Sequence, residues 1–509
     1  MRLRLIVVLS ALAITGAPGL GQNTTSYVSY RSTISSDANG PLDLWVELNY
    51  NRSRTNAPIA VVMHGYSPAT GNFANVRLNA QRLRDAGFFV ISVAMRGRDG
   101  SDGIRDSGGL EIYDIYDAVE YVKGRFASYL NPTNVHITGY SGGGGNVMAC
   151  LARFPDYFRL GSGFFGMSDY GYNTTTGWYF LGAAPSHQAQ LVTDVGNPAQ
   201  GNPAVMDRYL ARAANLASQN NPYGEIHLFA NQDEPTCPPV NNTSYRDHAI
   251  AHQSYAGEFD NITVHLGGPG QYVDFDGDAV HDSWELQSWP HGFPTADQQR
   301  AAESWYLSRL LAGQIPQPVL NDEDELTVIG FVKTRRFSFW LGDGQNAAAE
   351  LNYGLGSDRK QFHMDLLSSN LSVTGRLTVD TSDMAGAYVI AWLDQERLGG
   401  LQAQAQYILP ALADGQCFAL ERARPGDANL DGLIDLADLG VLSSNWGCRG
   451  VGWCEGDFSG NQVVDVGDLG VLAGNWGSYS PAGQWIVPEP GTMSLLALSG
   501  LALIRRRRG

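Results

Sequence analysis

Ser141 stands in Gly139-Tyr140-Ser141-Gly142-Gly143, a G-x-S-x-G run between the β-rich segment VHITGY and the helix-forming segment NVMACLARF. A nucleophilic serine needs this context. A sharp strand-to-helix bend lifts the hydroxyl clear of its neighbours, and flanking glycines leave room for elements that must pass close by. The hydroxyl becomes reactive only when a base takes its proton and hydrogen-bond donors meet the oxygen anion that follows. His291, in SWPHGFPTADQQ ahead of the last helix of this region, is the expected base, with His281 as its rival. The order serine, acid, histidine then places the acid after a late strand, where Asp233 follows LFANQ and Glu234 is its immediate neighbour. Asp233 is taken as the acid that orients the imidazole. The backbone N–H groups of Tyr66 and Gly142 are the expected oxyanion donors, and His64 reads as a structural residue of the same turn. His248, His252 and His265 read as surface or packing residues.

A second chemistry is written in acidic loops. GDANLDGLIDLADLGVLSSNWG is followed, 30 residues on, by GDFSGNQVVDVGDLGVLAGNWG. The first copy sets Asp427, Asn429, Asp431, Asp435 and Asp438 at positions 1, 3, 5, 9 and 12, and the second sets Asp457, Ser459, Asn461, Asp465 and Asp468 there. Leu433 and Val463 offer carbonyls at position 7. Oxygen ligands at these offsets are how a twelve-residue loop wraps Ca²⁺. A third loop, DFDGDAVHDSWE, offers Asp274, Asp276, Asp278, Asp282 and Glu285 at the same positions, with Ala279 where glycine usually makes the turn. Calcium there is expected to fold the segment that delivers His291; a plain acidic surface loop is the alternative.

These residues need a scaffold. From Pro41 to Leu311 strand and helix patterns alternate: IAVVMHG and FFVISV are strands around an amphipathic helix from Asn72 to Asp85. LEIYDIYDAVEYVKGRF is a helix, EIHLFAN and ITVHL are later strands, and Thr295 to Leu311 closes the region as a helix. The alternation predicts an α/β domain with a mostly parallel sheet and helices on both faces. NTTTGWYFLG reads as a substrate wall or a packed insertion. After GQIPQPVL short β-leaning runs such as LTVIGFV, RFSFWL and AYVIAWL predict a small β-sandwich; the stretch near 401–407 reads equally as a short helix.

The stretch from Met95 to Gly171, including MRGRDGSDG, GLEIYDIYDAVEYV, VHITGYSGGGGNVMACLARFPDYF and MSDYG, resembles the α/β-hydrolase catalytic domain of prolyl-oligopeptidase-type serine peptidases and related acyl esterases. The resemblance implies an α/β-hydrolase fold with Ser141 as nucleophile, Asp233 as acid and His291 as base. Those peptidases usually carry a large β-propeller, and only about forty residues precede the hydrolase core here. An ester substrate, an acyl group on a polysaccharide among the options, is therefore the leading expectation. A small peptide is the alternative, and a catalytically inactive surface-binding protein the third. The tandem repeats resemble a type I dockerin module, which implies Ca²⁺ and a cohesin-like partner; Asp at position 12 agrees with that family.

The termini speak of export. Arg2 and Arg4, the apolar run from Leu5 to Ile14 and small residues beyond form a secretory signal peptide over 1–21. VPEPGTMSLLALSGLALIRRRRG resembles a PEP-CTERM sorting signal, which implies transient retention at the membrane by a sorting machinery. The predicted plan is thus 22–315 hydrolase, 316–423 β-sandwich-like, 424–480 dockerin-like and 487–509 sorting tail. A formal charge of −17 opposes a nucleic-acid partner. Of five cysteines, Cys448 and Cys454 are close enough for a local bridge, which leaves an odd number among Cys150, Cys237 and Cys417.

Overall fold

The computed structural model describes residues 22–66, 71–252, 261–268, 270, 272, 279–280, 291, 296–394 and 396–477. The expected signal peptide and sorting tail lie outside them, as do Asp274, Asp276, Asp278, Asp282, Glu285 and the rival base His281.

Eight strands build the first sheet: β1 (Asn23–Asp37), β2 (Gly40–Asn51), β3 (Ala57–Met63), β4 (Phe89–Val93), β5 (Leu130–Tyr140), β6 (Leu160–Phe164), β7 (Glu225–Asn231) and β8 (Ile262–Gly267). Their spatial order is β1-β2-β4-β3-β5-β6-β7-β8. Strand β2 pairs antiparallel with both β1 and β4; across β4, β3, β5, β6, β7 and β8 every pairing is parallel. This is the α/β-hydrolase order. The parallel strands β3, β4 and β6 are buried along their whole length or nearly so, as expected for strands covered on both faces.

The helices between them are α1 (Phe73–Ala86), α2 (Glu111–Arg125), α3 (Gly142–Arg153), α4 (Trp178–Leu181), α5 (Pro185–Asp194), α6 (Pro203–Leu210), α7 (Val240–Ala251) and α8 (Ala296–Leu311). Helix α1 buries Phe73, Val76, Ala80 and Leu83, a spacing of three and four that makes one apolar stripe. Helix α3 is buried throughout, so the serine turn is set in the middle of the domain. Helices α4, α5 and α6 form an insertion between β6 and β7.

Ten further strands between Glu323 and Arg422 pair edge to edge in one antiparallel sheet that closes around its own apolar core. Its two halves are joined by one residue pair, Ile329 with Phe331, and both line that core; residues 401–407 belong to strands and the bend between them, not to a helix. This second domain is fused to the first. Ile329, Phe331 and Ala348 belong to the hydrolase core, where Phe331 and Trp340 pack on Tyr113 at 5.4 and 5.1 Å between ring centroids. Arg153, at the end of α3, is buried and donates to the carbonyls of Gly108, Gly109, Ala211 and Ile329.

The repeats fold into two matched loops, each leading into a short helix, α9 (Leu436–Ser444) and α10 (Val466–Gly474). Their small core pairs Ala428 with Phe458, Ile434 with Val464 and Leu442 with Leu472, each pair one repeat apart. All five cysteines are free thiols; Cys448 and Cys454 are exposed and not bridged.

Candidate active site

Strand β5 ends at Tyr140 and α3 begins at Gly142, so Ser141 makes the turn alone with φ 56° and ψ −120°. A non-glycine residue at positive φ costs energy that the surrounding structure must hold in place. The glycines show how. A Cβ on Gly139 would lie 2.3 Å from the Gly143 carbonyl oxygen, and one on Gly142 would lie 2.5 Å from Tyr66 Cγ and 2.7 Å from Tyr66 N. Bare backbone at 142 therefore lets the Tyr66 amide approach the serine turn, as the proposed oxyanion pair requires.

Tyr66 is held from both ends. Its carbonyl accepts from Arg98 Nη2 at 2.6 Å, and its buried hydroxyl donates to Glu111 Oε1 at 2.7 Å and meets Asn146 and Tyr170. Burial, followed by the Asp106 charge, pushes the Glu111 carboxyl up from its ordinary range. His64 is buried with Nδ1 on the Gly65 carbonyl, and burial pulls its pKa down to about 4, which fits a structural imidazole.

Ser141 and His291 line one cavity of about 420 Å³ with Tyr66, Met167, Trp178, His187 and Thr236. Tyr140, the residue before the serine, holds the histidine segment: its hydroxyl donates to the His291 carbonyl, and its ring meets the imidazole edge-on at 5.3 Å. The carboxylate beside the imidazole is that of Glu234, with Oε1 2.8 Å from His291 Nδ1. The ring nitrogen sits off the direct hydrogen-bond line, although the separation is within reach; catalytic hydrogen bonds commonly tighten only once substrate is bound. Oε1 also accepts from the amides of Thr236 (2.7 Å) and Cys237 (2.9 Å).

Asp233 stands elsewhere. It is exposed, whereas Glu234 is buried. Strand β7 ends at Asn231, whose carbonyl accepts from the Glu234 amide at 3.2 Å, and this tight turn sends residue 233 outward and residue 234 inward. The choice between adjacent carboxylates is made by the turn, which residue type does not reveal. His265 is buried against His227 at 3.0 Å, the rings of His248 and His252 stack at 3.8 Å, and none of these four is among the described residues lining the cavity of Ser141.

Cys237 and His187 carried no signal in the sequence, whereas Trp178 lies in the stretch read as a substrate wall. The buried Cys237 thiol is in side-chain hydrogen-bonding reach of Ser141, and burial pushes its pKa up, so it stays a neutral thiol. Trp178 and His187, from the insertion, form one wall with ring centroids 5.3 Å apart. Trp178 Nε1 donates to the Thr236 carbonyl at 2.6 Å, tying that wall to the loop of Glu234. The NTTTGWYFLG stretch is therefore part of the cavity, and its turn is fixed by Asp169, which accepts from the amides of Gly171, Tyr172 and Asn173.

Residues 74–195 match the prolyl oligopeptidase family. The matched stretch runs from α1 through Ser141 to the insertion, and so includes the nucleophile turn. Residues 487–508 match the PEP-CTERM protein-sorting motif, which indicates an exported protein held transiently at the membrane. An uncharacterized protein of Rickettsia prowazekii is 33% identical over 121 residues, 23% of this chain and 49% of that one. A 2-hydroxy-6-oxononadienedioate/2-hydroxy-6-oxononatrienedioate hydrolase of Pseudomonas putida is 31% identical over 114 residues, 22% of this chain and 38% of its own. The chain thus spans half or less of the length of these curated relatives. Among solved structures, an acylaminoacyl peptidase of Pyrococcus horikoshii is similar at 15% identity and a TM-score of 0.41, over 60% of this chain and 44% of that one. A puromycin hydrolase is similar at 15% identity and 0.42, over 57% and 40%. The fold assignment rests on strand order and the turn at Ser141, not on these likenesses.

In the repeats, Asp427 accepts from the amides of Asp431 and Gly432, and Asp457 accepts likewise from Gly460, Asn461 and Gln462. Asp435 and Asp465 cap their helices, and Asp438 and Asp468 complete the capping boxes. The sixth loop position has positive φ in both copies, 89° at Gly432 and 64° at Gln462, and Ala279 of the third loop matches them at 61°. Among the described residues no three His, Cys, Asp or Glu side chains already stand together as a cation site. The donor set suits a hard cation by chemistry, since carboxylates, carbonyls and the Ser459 hydroxyl are all oxygen ligands. No helix among the described residues is long and apolar enough to cross a membrane.

Proposed function

We propose that the chain is an exported serine hydrolase in which Ser141 attacks an acyl carbon, His291 takes the serine proton, and Glu234 orients and charge-stabilises the imidazole. The observation that carries this reading is the buried Glu234 carboxylate 2.8 Å from His291, in a loop pinned by the residue preceding a strained Ser141. The tetrahedral oxyanion is met by the amides of Tyr66 and Gly142, and the imidazolium returns its proton to the leaving group before water repeats the cycle.

The substrate is a carboxylic ester carrying an uncharged acyl group. No Asp, Glu, Lys or Arg is among the described residues lining the cavity. A peptide terminus entering it would leave its charge without a partner, whereas a neutral acyl group loses little on desolvation. The second reading, a peptidase, is favoured by the match over residues 74–195. Kinetics on acyl nitrophenyl esters against proline-containing peptide amides separates the two. Labelling by a fluorophosphonate that disappears in Ser141→Ala tests the nucleophile; a wild-type protein that takes no label is an inactive surface-binding protein instead.

Calcium in the paired loops, a cohesin-like partner for the repeat module and Ca²⁺ in the loop before His291 belong to the same proposal. Their support is the ligand spacing, the matched loop geometry and the shared turn at position 6.

A further inference from the structure

A second cavity, of about 480 Å³, opens at the seam between the two large domains and shares no residue with the cavity of Ser141. Pro132 and Thr133 border it at the start of β5, whereas Ser141 follows the end of that strand, roughly 26 Å away at the rise of an extended chain.

Its lining has an uneven inventory. Tyr116, Glu120 and Lys123 come from one face of α2, Asp156 and Tyr157 from the turn after α3, and Lys333 and Arg335 from the second domain. Lys123 is already served, with Glu120 at 2.9 Å and the Tyr157 ring 4.0 Å from its Nζ. Lys333 is half-buried over the Tyr116 ring, 5.4 Å from the centroid, and Arg335 is exposed. Neither has a carboxylate oxygen within ion-pair distance among the described residues. Burial holds the Lys333 pKa below its ordinary value, a cost that a bound anion would offset. Asp156 is 4% exposed; its Oδ2 accepts from the Arg335 amide at 3.0 Å, and its Oδ1 is buried with no hydrogen-bond partner. A buried carboxylate oxygen left bare is expensive, so a donor belongs there.

We propose that this seam cavity binds an acidic saccharide. Its carboxylate lies between Lys333 and Arg335, and a ring hydroxyl donates to Asp156 Oδ1. A simple anion would satisfy the cations but not Asp156. A neutral sugar would satisfy Asp156 but leave both cations bare. The site is independent of Ser141, so a polymer held here presents its acyl substituents elsewhere on the same molecule.

Calorimetric titration of the full chain with a galacturonic acid hexamer, xylohexaose and inorganic phosphate tests the proposal without any turnover. The expected result is saturable binding of the galacturonic acid hexamer, at least tenfold weaker in the double variant Lys333→Ala/Arg335→Ala and weakened also in Asp156→Asn. The double variant should keep the wild-type melting temperature and hydrolysis of a small nitrophenyl ester, showing that the fold and Ser141 are intact. No saturation by the hexamer, equal binding of phosphate or xylohexaose, or undiminished binding in the double variant overturns it. Loss of Ser141 labelling, by contrast, would touch only the catalytic reading.

Discussion

Glu234 Oε1 lies 2.8 Å from His291 Nδ1, while Asp233, its neighbour in the chain, faces solvent. Two carboxylates one residue apart therefore have opposite consequences. Glu234→Gln should lower kcat by about a hundredfold or more, because an amide neither favours the productive tautomer nor stabilises the imidazolium. Asp233→Asn should stay within about twofold of wild type. Steady-state kinetics on a nitrophenyl ester decides; a larger loss in the Asp233 variant would refute the assignment.

Tyr140 ties the serine turn to the histidine segment through one hydroxyl. Removing it in Tyr140→Phe should reduce kcat about tenfold with little change in KM, since a small displacement of a catalytic base is costly while the cavity walls stay in place. Equal kcat would show that the tether has no part in positioning His291.

Burial lowers the pKa of six histidines: His64, His136 and His248 to about 4, His265 to about 3, and His187 and His227 below the ordinary value. Their folded values are depressed, so the unfolded chain binds more protons below about pH 6.5. Stability is therefore full above that pH and falls as the pH drops through 6.5 toward 4, at up to about 1.4 kcal/mol per pH unit for each of the buried His64, His136, His227 and His265. Melting temperatures from pH 7.5 to 4.5 should decline, and less steeply in His265→Gln. A flat profile would mean that these rings accept protons in the fold.

Arg153 donates to four carbonyls from three regions of the chain. Arg153→Met should destabilise the protein by about 3 kcal/mol or more, because the carbonyls lose a charged donor in a dry site. Chemical denaturation measures this; a change under 1 kcal/mol would mean that water replaces the guanidinium.

Chelation should act on the repeats. With EDTA the melting temperature is expected to fall and be restored by Ca²⁺ but not by Mg²⁺, which tolerates such irregular loops poorly. If the loop before His291 also takes Ca²⁺, ester hydrolysis should fall in parallel. Unchanged melting and activity would reject calcium at both places.

The parallel strands β3, β4, β7 and β8, helices α1, α2 and α8, and the bend at Ser141 were legible because apolar runs, helical spacing and glycine placement each pointed the same way. Strand β1 was not: its threonines and serines alternate along a sheet edge that is mostly exposed. Strand β6, LGSGF, carries no strand pattern, and its bare Gly161 leaves room for Leu151, whose Cδ1 would lie 2.5 Å from a Cβ there. At the site, the serine and the histidine have local signatures. The acid, Cys237, Tyr140 and the Trp178–His187 wall acquire their places only through turns and distant packing, which spacing along the chain does not encode.

Phe331 rests on Tyr113 and Phe154 inside the hydrolase, so the two large domains have one interior between them. Cutting the chain near residue 315 would strip the catalytic half of part of its own filling and wet aromatic faces that have never met water. The enzyme and its β companion have to travel, melt and be inherited as a single piece.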